Sequence, residues 1–216
     1  MYKRQINIVF GPQYGVTDPL SSFFLIILSL SAVAVLIYAK GYIKPYLGRK
    51  SSAQISLHYC GLGILYLSML LVVTLRDGFS FLFAWEVMTL SSFVLMLFDA
   101  ERREVRRAAL SYLILMHVGF LFLLAGFVTL YASGLPASFD ALALYGEQGG
   151  NIIPLFIVFL IGFGMKAGIF PLHVWLPEAH PAAPAHISAF MSGVMIKTGV
   201  YGAVSYTHLT PPTIRL

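Results

Sequence analysis

The chain has 216 residues, 58% of them hydrophobic and only 11% charged. A soluble domain carries about 25% charged residues, so this composition excludes a soluble enzyme or module and indicates a polytopic membrane protein. The net charge of +5 does not point to nucleic acid, because eight of the fourteen Lys and Arg lie in two short loops between apolar runs, as membrane topology requires. The single cysteine, Cys60, excludes a disulfide framework and a cysteine set for an iron–sulfur cluster. CxxC, HExxH, Walker A and GxGxxG patterns are absent, so no catalytic, cofactor-binding or metal-ligating set is expected in this chain.

Residues 1–18 are mixed and turn-rich and end in Asp18-Pro19. A first span is expected over 19–39, uncharged, with Pro19 at the first helical position. It lacks a small-residue cleavage site after a short apolar region, so it does not read as a signal peptide. A basic loop follows with Lys40, Lys44, Arg49 and Lys50. The second span, 56–75, is uncharged and leads to the tight turn Arg76-Asp77-Gly78. The third, 79–98, contains Glu86. A charged loop with Arg102, Arg103, Arg106 and Arg107 precedes the fourth span, 108–131. The loop over 132–151 carries Asp140 and Glu147 but no Lys or Arg. The fifth span, 152–171, ends at Pro171, and the sixth covers 185–204. Each complete span has the roughly 20 residues that a hydrocarbon core of about 30 Å demands. The expected fold is an all-α transmembrane bundle of about six spans. With the N-terminus outside, both Arg- and Lys-rich loops fall inside, which the positive-inside rule favours.

Glu86, Lys166 and Lys197 each lie near the middle of an apolar run. A charge at the bilayer centre costs about 2.5–3.5 kcal/mol on insertion scales, so these three are expected to face protein or water and to handle ions or protons. The fifth segment reads Gly162-Phe-Gly164-Met-Lys166-Ala-Gly168-Ile-Phe-Pro171. Glycine weakens a helix and proline interrupts its hydrogen-bond ladder. A helix break at Gly164, Gly168 and Pro171 beside a buried lysine is the arrangement that builds mid-membrane ion sites. The plainer alternative is a glycine packing face ended by a proline.

His117 in the fourth span reads equally as a proton relay or a helix–helix hydrogen-bond donor. His58 lies near a span end and reads as interfacial. His173, Glu178, His180 and His186 cluster after Pro171, but their spacing matches no standard metal set, so hydrogen-bonded loop histidines are expected. His186 opens the sixth span, where it could feed protons to Lys197. Trp85 and Trp175 read as packing or interfacial-belt residues. The four arginines of the 99–107 loop read as inside anchors. The segment Val204-Ser-Tyr-Thr-His-Leu209 matches one reading frame of a common sequencing adapter, so 204–216 is expected to be a non-native tail and the chain a fragment.

Phe83-Ala-Trp85-Glu86-Val-Met-Thr-Leu-Ser-Ser92 resembles the glutamate-bearing helix of proton-translocating membrane subunits of respiratory complex I and its relatives. Gly162 to Ala179, GFGMKAGIFPLHVWLPEA, resembles that family's lysine-bearing broken helix and the lateral loop after it. His180-Pro-Ala-Ala-Pro-Ala-His186 through Met191-Ser-Gly-Val-Met-Ile-Lys197-Thr-Gly-Val-Tyr201-Gly is similar to the hydrogenase-4 component B and formate hydrogenlyase subunit 3 branch. Asp18-Pro-Leu-Ser-Ser22 resembles the start of the family's third helix. The resemblance implies about fourteen helices in two inverted five-helix repeats, of which residues 1–203 would hold helices three to eight and most of the first repeat.

It also implies roles. Burial disfavours a charged lysine and a nearby carboxylate favours it, so moving the carboxylate switches the lysine between two protonation states. Glu86 would be the modulating carboxylate, Lys166 its partner in contact, and Lys197 the next proton carrier inward. The chain would hold no redox centre. Partner membrane and peripheral subunits would carry iron–sulfur and nickel–iron or flavin groups, in the cytoplasmic membrane of a prokaryote. The function implied is proton translocation in a membrane-bound hydrogenase or complex I-like oxidoreductase. A subunit of a multisubunit sodium/proton antiporter is the alternative, and a purely structural scaffold is a third.

Overall fold

The computed structural model describes the backbone of residues 6–7 and 16–209, and side chains from 18 to 205. Two short strands, β1 (Ile6–Asn7) and β2 (Val16–Thr17), pair antiparallel ahead of the helices. The remaining elements are helical: α1 (Pro19–Ile43), α2 (Ser52–Thr74), α3 (Gly78–Met96), α4 (Arg103–Ala132), α5 (Ala141–Glu147), α6 (Ile152–Ala167), α7 (Leu176–Ala182), α8 (Ala185–Phe190), a π-helical segment (Met191–Met195) and α9 (Ile196–Leu209). Five helical stretches among the described residues are long and apolar enough to cross a membrane. The chain is a multi-pass membrane protein with an all-α bundle.

Side-chain caps start α1, α2 and α3, whereas α4 begins without one. Asp18 accepts from the Ser21 amide at 2.6 Å with Pro19 in the first turn. Ser51 and Gln54 form a reciprocal capping box on α2, and Asp77 accepts from the Ser80 amide at 2.8 Å on α3. Each such cap satisfies backbone donors that the first turn leaves free. The helices overrun the expected spans because their ends carry Lys and Arg. α1 continues through Lys40 to Ile43 and α4 starts at Arg103, since long basic side chains reach from a helix end to the polar interface.

The fifth expected span is corrected most. α6 stops at Ala167, 16 residues after it starts, or about 24 Å at 1.5 Å per residue, too short for the membrane core. Gly168, at φ 66°, takes the left-handed cap conformation, and the Gly168 and Ile169 amides both bond to the Gly164 carbonyl. The glycine ends the helix, and Pro171 lies beyond it in the connection to α7. The backbone of α9 is helical to Leu209. The rest of the suspected tail, 210–216, lies outside the described residues.

α3 packs on α2 and α4, and α6 packs between α4 and α9. Phe81, Trp85, Phe127, Phe159 and Phe163 are fully buried between α3, α4 and α6, and Phe139 joins them edge-on against Phe81 and Phe127. The outer surface is apolar: Ile26, Leu30, Ile37, Leu67, Phe83, Ile114 and Ile153 are all exposed, as a lipid-facing belt requires.

Lys50 joins the two basic loops by pairing with Glu101 at 2.8 Å and Asp99 at 3.5 Å. At the opposite end Arg76 reaches Asp18 at 2.6 Å, tying the start of α1 to the α2–α3 turn. Burial opposes the Asp18 charge, but the Ser21 hydrogen bonds and the Arg76 guanidinium outweigh it and hold the carboxyl below its ordinary value. A lowered native value stabilises the fold above the unfolded carboxyl pKa, near 3.9, and that stabilisation is lost as pH falls through the native value. At this half-exposed position the pair is worth about 0.5–1 kcal/mol. Asp18→Asn keeps a capping oxygen but lacks the charge, so it is expected to fall short of the parent chain's stability at pH 6 and to lose that deficit at a pH below the native Asp18 value. Unfolding in detergent at the two pH values measures this, and an equal deficit at both would remove the Asp18 charge from the account.

Candidate functional site

Lys166 is the only lysine of the chain that is buried among the described residues, at 1% exposure. It sits in the last turn of α6, where the helix dipole favours a cation. Trp175, arriving after the break, donates its indole N–H to the Met165 carbonyl at 2.8 Å. That bond fastens the lateral connection to the end of α6 and occupies a carbonyl the helix leaves free. The Lys166 Nζ donates to Thr89 Oγ1 at 3.0 Å and to Tyr112 OH at 3.1 Å. It also lies over the rings of Trp85 and Tyr112, at 5.7 and 5.5 Å from their centroids, where a desolvated cation is attracted to the ring faces.

The two hydroxyls are held in turn. Thr89 donates to the Trp85 carbonyl at 3.1 Å, and Tyr112 shares a 2.7 Å hydrogen bond with Ser92. Trp175 packs on Tyr112 at 5.1 Å between centroids. Three helices and one loop therefore fix a single lysine amine in a buried aromatic pocket.

Glu86 lies one turn before Thr89 on α3. Its carboxylate does not touch Lys166; the nearest partner is His117 on α4, with Oε2 to Nε2 at 3.3 Å. The direct contact that the resemblance implies is thus replaced by an indirect path from the Glu86 helix through Thr89 to Lys166. The two groups still act on each other electrostatically. The second carboxylate oxygen, Oε1, is buried without a hydrogen-bond partner among the described residues.

His117 Nδ1 lies 2.9 Å from the Leu113 carbonyl, so Nδ1 carries a hydrogen and donates it. The tautomer follows from that bond: Nε2 is bare in the neutral ring and faces Oε2 of Glu86 across 3.3 Å. His117 is the more open of the two, with its side chain 45% exposed against 17% for Glu86.

The other expected site residues fall elsewhere. Lys197 is not in the interior: it is exposed, with Ser192, Gly193 and Val200, on the outer face of the last helical stretch. No hydrogen bond or ion pair reaches it among the described residues. The π-helical segment ahead of it buries Met191, Val194 and Met195, and its extra residue per turn changes which side chains face inward. His186 is buried, but against His58 of α2 rather than near Lys197. This corrects the interfacial reading of His58, which is 3% exposed. Trp85 and Trp175 are core residues around the lysine, not belt residues. His180 bonds to Ser188 at 3.1 Å, and no group of three metal-ligating side chains occurs among the described residues.

Sequence reasoning missed Thr89 and the role of Tyr112. A hydroxyl three residues after an intramembrane glutamate is a legible signal, because it shares that helix face. Nothing in the sequence marks Tyr112, on another helix, as a lysine acceptor.

A membrane bundle built around one hydroxyl-held lysine at a helix break defines a polytopic protein with an ionisable interior. Residues 76–214 match the transmembrane family model described as NADH:quinone oxidoreductase/Mrp antiporter, and the chain belongs to that family. It is 38% identical over 190 residues to an uncharacterized protein of Mycobacterium tuberculosis, covering 88% of this chain and 28% of the relative. It is 32% identical to hydrogenase-4 component B of Escherichia coli, over 86% of this chain and 27% of the relative. A Staphylococcus saprophyticus protein named as antiporter subunit mnhA2 is 31% identical, over 88% of this chain and 24% of its own length. The chain thus spans about a quarter of the length of these curated relatives. Among solved structures, it aligns with a chain of an archaeal membrane-bound sulfane sulfur reductase complex at a TM-score of 0.79 and 25% identity, over 99% of this chain and 33% of that one. It also shares its fold with a chain of the Mrp complex from a Dietzia species, at a TM-score of 0.77 and 19% identity, over 94% and 38%.

Proposed function

We propose that the chain moves protons across the cytoplasmic membrane of a prokaryote as part of a multisubunit hydrogenase or complex I-like oxidoreductase. The observation that carries this reading is the buried Lys166, held by Thr89 and Tyr112 at the end of a broken helix. A structural lysine would serve equally well as leucine, without the burial cost. Glu86 faces the more open His117, which is placed to exchange a proton with it. Charged Glu86 favours the ammonium form of Lys166, and protonated Glu86 releases it. Shuttling a proton on and off Glu86 therefore loads and unloads Lys166.

Partner subunits would carry the redox groups, and the N-terminus would face outside. The similarity to hydrogenase-4 component B favours the hydrogenase branch. The staphylococcal relative supports the second reading, exchange of sodium for protons in a multisubunit antiporter. Lys197, exposed in mid-span, would be covered by further membrane helices or subunits, because lipid does not accommodate a bare ammonium.

Glu86→Gln keeps the shape and removes the titration. It is expected to slow proton flux in vesicles holding the assembled complex by about 10²-fold, the lower range for a proton-transfer group. Wild-type flux in that variant would overturn the proposal. Flux that requires sodium on the opposite side would select the antiporter reading.

A further inference from the structure

We propose that His58 and His186 form a second proton-holding site, a pair of imidazoles sharing one proton, which loads protons at the basic-loop end of the bundle. The two Nε2 atoms lie 2.7 Å apart. That distance is a hydrogen bond, and a hydrogen bond between two ring nitrogens needs one hydrogen between them. Both rings are buried, at 3% and 2% exposure, with planes inclined by 70°.

The pair comes from separate parts of the chain. His58 lies about 9 Å along α2 from its start at Ser52, at 1.5 Å per residue. His186 is the second residue of α8. Both lie toward the end of the bundle where α1 finishes and the α3–α4 connection runs, as the contacts of His186 with Tyr42 and of His58 with Phe98 show. Aromatic rings wall the site: Phe98 lies 4.7 Å from His58 between centroids, Tyr42 4.8 Å and Tyr38 6.4 Å from His186. Such faces stabilise one desolvated cation. Lys50 also lies over Phe98, 5.4 Å from its centroid, and is paired with Asp99 and Glu101. Tyr46 packs on Phe98 and stacks on Tyr42. No charged side chain bonds to either imidazole among the described residues, and two imidazolium rings this close would repel, so the pair holds at most one positive charge.

His186 Nδ1 is buried and has no hydrogen-bond partner among the described residues. It is the open port of the pair. With Nε2–H of His186 donating to His58, Nδ1 of His186 is bare. A proton arriving there turns His186 into imidazolium. The bridging proton then passes to Nε2 of His58, leaving His186 neutral with its hydrogen on Nδ1 and His58 as the cation. One proton has moved by one ring, with no other reactant. The loading role rests on the translocation reading above; the shared proton does not.

In the chain labelled with 15N-histidine and held in nanodiscs, NMR is expected to show a scalar coupling between the two Nε2 nuclei, and uptake of one proton per pair on acidification. His58→Gln can still donate to His186 but cannot hold a proton. It is expected to abolish the coupling and to slow proton flux at least tenfold, with helix content unchanged; His58→Phe, which fills the site, should behave alike. Absence of coupling in the parent chain, or independent uptake of two protons, overturns the pair. Normal flux in His58→Gln alongside lost flux in Lys166→Met overturns the loading role. Normal flux in both variants overturns the translocation reading instead, and the coupling measurement then decides the shared proton alone.

Discussion

Lys166→Met is expected to cut proton flux by about 10²-fold or more while leaving the fold at least as stable. Methionine is unbranched, one atom shorter than lysine, and carries no charge. The groups that lose the ammonium keep other partners. Thr89 still donates to the Trp85 carbonyl, and Tyr112 still shares its hydrogen bond with Ser92. No buried polar atom is newly orphaned, which is the usual source of large losses when one partner is removed. The Trp85 and Tyr112 rings already face the side chain and accept an apolar thioether. Flux assays on proteoliposomes and reversible unfolding in detergent check the two halves separately. A strong drop in stability would mean that the lysine is a structural strut. Unchanged flux would mean that it is not on the proton path.

Gly199→Ala should have the largest effect on stability. A methyl group at this position would lie 2.7 Å from the Ala167 amide nitrogen and 2.9 Å from the Phe163 carbonyl oxygen. Both are backbone atoms, so neither can swing away. The crossing of α6 and α9 must widen, at about 1–3 kcal/mol for an overpacked contact. Ala167 follows Lys166, so the same movement pulls Nζ from Thr89 and Tyr112, and flux is expected to fall with stability. Gly193→Ala is the control: nothing lies within 4 Å of its added carbon, and surface substitutions usually change stability by no more than about 0.5 kcal/mol. Equal unfolding midpoints for the two variants would show that the α6–α9 crossing is looser than its contacts imply.

The fold was legible from local signals to different depths. Asp18, Ser51 and Asp77 cap helices where turn-forming residues precede apolar runs. Helix ends were misjudged where Lys and Arg continue the helix, since charge alone does not stop one. At 162–171 the break was expected at Gly164, Gly168 and Pro171; the helix ends at Ala167 with Gly168 as its cap, so the span stops four residues before the expected end at 171. A proline is the stronger interruption inside a helix, whereas here Gly168 had already ended it. Of the site, the glutamate and the central lysine were visible as charges in apolar runs. Their separation was not, because a direct pair and a separated one leave the same residues in the chain. The outward position of Lys197 and the partner of His58 were also beyond the sequence.

By itself the sequence determined a membrane-spanning helical bundle, a helix interrupted beside Lys166, and an interior that must hold ionisable groups. These follow from composition and from the cost of charge in hydrocarbon, which are properties of short segments. Only the tertiary structure decided that Lys166 rests on Thr89 and Tyr112, that Glu86 turns to His117, and that His58 meets His186. Those choices depend on how helices far apart in the chain are rotated and spaced against each other. A single π turn or a missing Cβ moves a side chain from one face to the next.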